Sequence, residues 1–508
     1  MPIKILSSAE AYDNNKDPAA KWPTNERMQA ERLLPIAKPE FRANFQIDRE
    51  DVIFTIGSCF ARNIEKQLAI EGYEYASRDF DIPAEESDFP TDISSILNKY
   101  VVFSVLNELK WALVPGENFP DEAYVEIRNG KYIDPHMNHA VTPSVIERCR
   151  NRRRYVHDFM IKAAKADVFI MTLGLAEAWY DAKTGLYLNI MPHRSARDRE
   201  PDRFQFHVLD YNDILQCLED IYSLLRTYGN PEIKVLLTVS PVALSATFSG
   251  NDVLIANSYS KSVQRAAVEA FVQRHDGVDY FPSYESVTLS DRRRAWRDDQ
   301  AHASDEIVRY NVLKMMGAYM GGEHGESEAR SDNFADAFEL VRQANATEKA
   351  GNKADAMRLF RKAYDLAPHE GILLLEYANF LFRNNQFADA VRIAKESTAN
   401  NSGPYSGYYF LAQFARAADQ IEEAHAAIRK AREFEPVRPG VLHMHGIIST
   451  RMKMYDEADE VFQRLLTLNP SFEPGKIDYL RMAQEAGDNT RAQAFIDQLV
   501  IPDAIEIV

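Results

Sequence analysis

Two short strings in this sequence carry the residue types of nucleophilic catalysis. The first is Gly57-Ser58-Cys59-Phe60-Ala61. It follows a buried apolar run, Asp51 to Gly57 (DVIFTIG), and opens a helical pattern in which Phe60, Ile64 and Leu68 recur at four-residue spacing. A strand that turns sharply into a helix favours a small residue at the turn, here Gly57. Ser58 is then expected to project from the C-terminal edge of a sheet, at a helix N-terminus that stabilises negative charge during attack. Open α/β sheets bind ligands at that edge. Cys59 competes as nucleophile because a free thiol is intrinsically more reactive. It reads more simply as a small hydrophobe under the helix, so Ser58 is preferred. Taken alone, Ser58 also reads as an ordinary helix cap.

The second string is Asp299-Gln300-Ala301-His302, which sets two acid–base groups three residues apart. His302 would take the Ser58 proton and return it to the leaving group, while Asp299 would hold the other imidazole nitrogen and fix the tautomer. Asp298 is an alternative orienting acid. By itself the pattern also fits a surface aspartate beside a capping histidine.

These groups need a scaffold. Asp167 to Gly174 (DVFIMTLG) and Ile233 to Ser240 (IKVLLTVS) read as further buried strands, with Val278 to Phe281 a short fourth. Tyr211 to Arg226 and Asn257 to His275 read as helices between and after them. Apolar strands separated by helices predict a layered α/β domain with a largely parallel sheet. Residues 79–154, rich in proline and arginine, are expected to form an insertion or cap, with a helix near Ile96 to Leu113. The Arg148 to Arg154 run is expected to be a solvated helix face, with an anion or sugar-acid site as the other reading.

A glycine- and charge-rich stretch, 317–331, is expected to be a linker. Beyond it Ala356, Ala390, Ala424, Ala458 and Ala492 stand 34 residues apart, and Phe360, Ala394, Ile428, Phe462 and Ile496 keep the same step. Pro368, Pro436 and Pro470 share the grid and stop helices. Small residues let paired helices approach, and larger apolar ones fill the groove between pairs. This period resembles the tetratricopeptide family. The resemblance implies that 332–508 is an all-α solenoid whose concave face binds a peptide or a partner protein. The bland alternative is that the repeats only stabilise or position the first domain.

The GSCFA string, followed by Thr172-Leu173-Gly174-Leu175-Ala176-Glu177-Ala178-Trp179, Thr238-Val239-Ser240-Pro241-Val242 and the terminal Asp299-x-x-His302, resembles the GSCFA domain family. That family is similar to SGNH/GDSL-type hydrolases. The resemblance implies a flavodoxin-like three-layer α/β/α fold for residues 1–316, ester or acyl chemistry, Ser58 as nucleophile, and Asp299 with His302 as the acid–base pair. Gly174 to Glu177 occupies the block where SGNH enzymes carry Gly-x-Asn-Asp. The usual oxyanion asparagine is absent there, and an ionised Glu177 cannot donate in its place. The oxyanion donors are therefore expected to be the Ser58 or Cys59 backbone N–H, the Gly174 N–H, or the side chain of Asn98. Glu177 would orient Trp179, Ser58 or a substrate hydroxyl. Trp179, Tyr180 and Asp181 are expected near a strand end, where an aromatic could stack on a sugar ring; plain loop anchoring is the other reading. The Ser240-Pro241 turn is expected to shape the crevice without supplying a base.

His136 and His139 form an HxxH with Asp134 nearby, but no zinc pattern completes it. His193 and His207 read as structural or substrate-contacting. No metal and no cofactor is expected. The 508 residues carry 59 Lys and Arg against 76 Asp and Glu, a formal net charge of −17, which disfavours nonspecific nucleic-acid binding. Three widely spaced cysteines, Cys59, Cys149 and Cys217, favour a reducing compartment. With no secretory signal pattern and no membrane-length apolar run, a cytoplasmic location is expected. The expected function is a serine-dependent esterase acting on acyl, foremost O-acetyl, esters of a glycan or polysaccharide. The alternatives are an O-acyltransferase of polysaccharide modification, or a noncatalytic glycan-binding scaffold that recruits a protein through its repeats.

Overall fold

The structure is a computed structural model that describes the whole chain except residues 1, 25–31, 79, 81, 84–85, 87–92, 140, 321–323, 401–403 and 489–508. Two compact units result, Met1–Ala335 and Asp336–Val508. Among the described residues no helix is long and apolar enough to cross a membrane.

The first unit is built on a four-stranded parallel sheet in the order Ile53–Gly57, Val168–Leu173, Lys234–Val239, Val278–Tyr280. In chain order its main elements are β1 (Ile53–Gly57), α1 (Cys59–Ile70), α2 (Val102–Leu113), β2 (Val125–Arg128), β3 (Lys131–Ile133), α3 (Ile146–Met160), β4 (Val168–Leu173), β5 (Glu177–Asp181), β6 (Leu186–Tyr187), β7 (Phe204–Val208), α4 (Tyr211–Tyr228), β8 (Lys234–Val239), α5 (Val253–Val272), β9 (Val278–Tyr280) and α6 (Asp305–Tyr319). A single parallel bridge from Tyr75 to Ile53 extends the sheet beyond β1. The strands are apolar on both faces because both are covered. On one face Phe54, Ile56, Phe169, Met171, Leu173, Val235 and Leu237 form a single core with apolar residues of α2, α3, α4 and α5. Phe54 stacks on Phe159 and Phe169, with ring centroids 4.9 and 5.5 Å apart. Intervening strand residues face the other way. There Thr55 bonds Glu65 of α1, which pairs with Arg62 at 2.6 Å, and Thr238 bonds Ser283 at 2.5 Å.

Three features depart from the sequence expectations. The 79–154 stretch is not only an appended cap: α2 and α3 contribute Val102, Val105, Leu109, Val156 and Phe159 to the main core. The Arg148 to Arg154 run is a solvated face only in part: Arg150 and Arg154 are exposed, but Arg152 is 1% and Arg153 6% exposed. Arg153 pairs with Asp134 and, at 2.6 Å, with Glu108; Arg152 donates to the carbonyls of Glu86 and Thr142. Arg150, with Asp121, and the partly exposed Arg148, with Glu86, meet solvent in ion pairs. Finally, an antiparallel sheet, β6-β5-β7, and a β2-β3 hairpin follow strand patterns too short and polar to register in the sequence.

The expected linker at 317–331 is helical at its described ends: α6 runs to Tyr319, and α7 covers His324–Lys349. The second unit then stacks α8 (Lys353–Leu366), α9 (Gly371–Arg383), α10 (Phe387–Ala399), α11 (Pro404–Ala417), α12 (Ile421–Phe434), α13 (Pro439–Arg451), α14 (Tyr455–Leu468) and α15 (Glu473–Glu485). Each 34-residue step falls on a helix pair. Ala356, Ala390, Ala424 and Ala458, with Phe360, Ala394, Ile428 and Phe462, are all fully buried. Ala492 and Ile496 lie outside the described residues.

Candidate active site

Ser58 sits at the junction of β1 and α1 and caps the helix, its Oγ accepting from the Phe60 N–H at 3.4 Å. Gly57 makes the junction possible. Its φ is +136°, and a Cβ there would lie 2.2 Å from Thr172 Oγ1, so β1 and β4 approach closely only because the side chain is absent. Ser58 is 5% exposed. Its backbone N–H donates to Thr172 Oγ1 (3.1 Å) and is therefore already engaged, which removes it from the expected oxyanion donors. The Ser58 hydroxyl donates to Ser240 Oγ at 3.4 Å, beyond the end of β8. The side chain of Cys59 lies outside the described residues.

Asp299 and His302 meet as the spacing required. His302 Nδ1 is 2.7 Å from Asp299 Oδ2, and Asp299 Oδ1 accepts the N–H groups of Ala301 (2.9 Å) and His302 (3.0 Å). These backbone bonds, with the ring bond, hold the Asp299 carboxyl well below its ordinary range. The turn carries Gln300 at φ +58°, a left-handed conformation that costs a non-glycine residue energy. Arg292 offsets it by donating to Gln300 Oε1 (2.8 Å) and to its carbonyl (3.0 Å), and a Trp296–Ala303 bridge closes the loop. Both side chains are about half exposed, and among the described residues His302 Nε2 has no hydrogen-bond partner.

The serine and the pair converge on one loop without touching. Ser240 N–H donates to the Leu173 carbonyl at 2.8 Å, and three residues on, the Ala243 N–H reaches the Ala301 carbonyl at 3.5 Å. No hydrogen bond joins Ser58 to His302.

Asn98 occupies the same edge. Residues 98–101 run between the ends of β1 and β4: Gly57 bridges Asn98, Val101 bridges Leu175, and the Lys99 N–H donates to the Gly57 carbonyl at 2.8 Å. Asn98 is 5% exposed and its Oδ1 has no partner. Asn189 clamps the segment, donating to the Asn98 carbonyl (2.9 Å) and accepting from the Tyr100 N–H (2.8 Å). Gly174 is needed where this segment crosses β4, because a Cβ would lie 2.6 Å from the Tyr100 carbonyl oxygen. The Gly174 carbonyl accepts from Lys261 (2.7 Å) and Gln264 (3.2 Å).

Beneath Asn98 lies a buried ionic group that the sequence did not reveal. Lys99 reaches Glu108 and the His136 carbonyl (2.6 Å); Glu108 and Asp134 share Arg153. Burial pushes the Lys99 ammonium below its ordinary pKa. Burial also opposes ionisation of Glu108, but Arg153 and Lys99 outweigh it and lower that carboxyl to about 2. His136 is packed edge-on against Trp111 and Phe119, centroids 5.1 and 5.7 Å away, which suits a structural imidazole rather than an HxxH ligand.

Glu177 does not contact Trp179 or Ser58 by hydrogen bond; it accepts from Thr247 at 2.5 Å. Trp179 stands within β5, between Phe206 and Phe248, each 5.4 Å away. Asp181 is buried with Arg203 at 2.7 Å. His193 caps a short helix and His207 bonds Tyr187. Asn189 and Arg292 were missed by sequence reasoning, and Thr172, though part of a quoted motif, was given no role. Their roles rest on contacts with residues 91, 8 and 114 positions away.

A wider comparison now bears on this site. The GSCFA family profile matches residues 52–314, just over half the chain, and the protein belongs to the GSCFA family. A tetratricopeptide repeat profile matches residues 439–472. Similar solved structures include YrrB, described as a TPR protein with an unusual peptide-binding site (16% identity, TM-score 0.30, covering 35% of this chain and 93% of that one). MamA from Desulfovibrio magneticus is 12% identical (TM-score 0.30, 32% and 92% covered). A tetratricopeptide repeat protein from Parabacteroides merdae is 14% identical (TM-score 0.30, 32% and 65% covered). No curated protein matches the chain. Family membership points to a hydrolase-like first unit, and the repeats to interaction with a protein or peptide.

Proposed function

We propose that the first unit is a serine-dependent esterase of acyl esters, O-acetyl esters foremost, with a glycan or polysaccharide as the acyl carrier. The observation that carries this reading is the Asp299–His302 pair, oriented at 2.7 Å with the His302 side chain half exposed, in a loop joined through Ala243 to the segment that begins at Ser240. Ser58 attacks the acyl carbon, His302 takes its proton and returns it to the departing alkoxide, and Asp299 stabilises the imidazolium. The Asn98 side chain supplies the oxyanion donor that the Gly174 block lacks. Water then deacylates the serine; a sugar hydroxyl in its place makes the same site an O-acyltransferase. Catalysis requires His302 to replace Ser240 as the partner of Ser58 Oγ, a bond that in such sites forms fully only with substrate bound. The strand order, with the Tyr75 bridge at its edge, is compatible with a flavodoxin-like SGNH domain.

The second reading is a noncatalytic glycan-binding scaffold, and the burial of Ser58 against Ser240 favours it. In either case the repeat unit is proposed to recruit a protein or peptide. Hydrolysis of a small acetyl ester by the full chain, with serine-directed covalent probing and peptide mapping, separates the readings. Labelling of Ser58 with turnover supports the esterase; absence of both supports the scaffold.

A further inference from the structure

Two histidines in the repeat unit occupy positions that the repeat elsewhere fills differently. On the 34-residue register His425 corresponds to Met357, Val391 and Asp459, and His445 to Tyr377, Leu411 and Tyr479. These two positions meet in other repeats: Tyr377 Oη lies 3.5 Å from Met357 Sδ, and Tyr479 Oη donates to Asp459 Oδ1 at 2.8 Å. In this repeat the meeting pair is two imidazoles, centroids 5.6 Å apart. The first turn of the following helix is acidic throughout the array, with Asp355, Asp389, Glu423 and Glu457 in register. At this junction alone does the carboxylate face two histidines.

Glu457 Oε2 is 2.8 Å from His425 Nε2, and its Oε1 is 3.4 Å from His445 Nε2. All three donors lie within 4.8 Å of one another. Ser449 donates to Glu457 Oε2 at 3.0 Å and orients the carboxylate. His445 is 1% exposed, yet neither ring nitrogen has a hydrogen-bond partner. A buried imidazole that makes no hydrogen bond carries a desolvation cost, set here against the charge of the Glu457 carboxylate 3.4 Å from Nε2. Ligand atoms held at ~2.0–2.1 Å by a tetrahedral ion stand roughly 3.3 Å apart, close to the His–Glu separations seen here.

We propose that His425, His445 and Glu457 bind one divalent transition-metal ion, zinc foremost, that ties α12, α13 and α14 together. Two imidazoles and one carboxylate select zinc, cobalt or nickel over oxygen-seeking magnesium and calcium. The fourth position is left to water. This site is independent of the esterase reading.

The test uses the full chain, stripped with chelator and dialysed, then titrated with Co2+ and with Zn2+. One Co2+ per chain is expected, with the absorption of a tetrahedral site, displaced by Zn2+. His445→Leu and His425→Val copy Leu411 and Val391, so the array is expected to keep its helical circular dichroism while cobalt affinity falls about tenfold or more. Absence of tetrahedral cobalt absorption in the unaltered chain overturns the proposal. So does unchanged affinity in either variant. Should a histidine variant lose helicity, Glu457→Gln decides: an affinity loss of the same size supports the site, and unchanged affinity overturns it.

Discussion

Ser58 Oγ faces Ser240 Oγ at 3.4 Å, and the chain leaving Ser240 reaches the carbonyl of Ala301, the neighbour of His302. The nucleophile candidate and the base candidate thus both lean on one intermediary loop, Ser58 at Ser240 and the His302 turn at Ala243. Ser58→Ala is expected to lower acetyl-ester turnover by about 10³-fold or more, because removing the nucleophile leaves only binding and oxyanion stabilisation. Cys59→Ala is expected to retain activity. Ser240→Ala frees Ser58 to pair with His302 and is expected to change turnover by less than about tenfold. Steady-state rates of the three variants check this, and full activity in Ser58→Ala would remove the assigned role.

The acid–base pair makes a separate prediction. Asp299→Asn leaves the loop geometry but disturbs the tautomer, and a loss of about 10²–10⁴-fold in kcat is expected, with Asp298→Asn near the parent rate. Arg292 touches neither Ser58 nor His302, but it supports Gln300 in its left-handed turn. Arg292→Ala is expected to lower kcat about tenfold with KM unchanged, and Gln300→Gly, which relieves the strain, to restore part of it. A rise in KM alone would assign Arg292 to substrate binding instead.

Local features of this fold were legible in the sequence. The four parallel strands fall within two residues of the apolar runs that announce them, because strands buried on both faces need unbroken hydrophobicity. The strand–turn–helix at Ser58 and the Asp299–His302 pair are equally local. Strand order was not legible, since β1 pairs with β4 across more than a hundred residues, Ile53 opposite Val168. Nor was the fate of the arginines. Arg153 differs in type from its solvated neighbour Arg150 by nothing; its partners, Asp134 and Glu108, lie 19 and 45 residues away. Asn98 could be named as a donor, but the burial of Lys99 below it depends on that same distant network.

That network yields a stability prediction. Arg153→Met leaves Glu108 and Asp134 buried without their shared cation, and a loss of about 3–5 kcal/mol is expected. Replacing Arg153, Glu108, Asp134 and Lys99 together by apolar residues is expected to cost less than the single change, because the buried Lys99 that pairs with Glu108 is then not stranded either. Denaturant unfolding read by tryptophan fluorescence measures this in the first unit alone, where Trp22, Trp111, Trp179 and Trp296 all reside.

His136 gives the same unit a defined acid response. Burial, then the positive charge of Arg153, lowers its pKa from 6.5 to about 3, and both ring nitrogens lack partners. Between those two values the unfolded chain binds a proton that the folded chain refuses, so stability rises with pH across the window and is level above about pH 7. Acidification from pH 7 to pH 4 is expected to cost roughly 2–4 kcal/mol from this residue. The lowered Glu108 carboxyl adds its own loss only further down, as pH falls from 4.5 through about 2. Replacing His136 by leucine removes the titration and two unpaired polar atoms while keeping contact with Trp111 and Phe119. Because an apolar group of similar size is nearly neutral at such a site, His136→Leu is expected to match the parent at pH 7 and to exceed it at pH 4. Unfolding curves of both proteins at pH 7 and pH 4, followed by tryptophan fluorescence, check the sign: parallel losses in parent and variant would show that the acid response originates elsewhere.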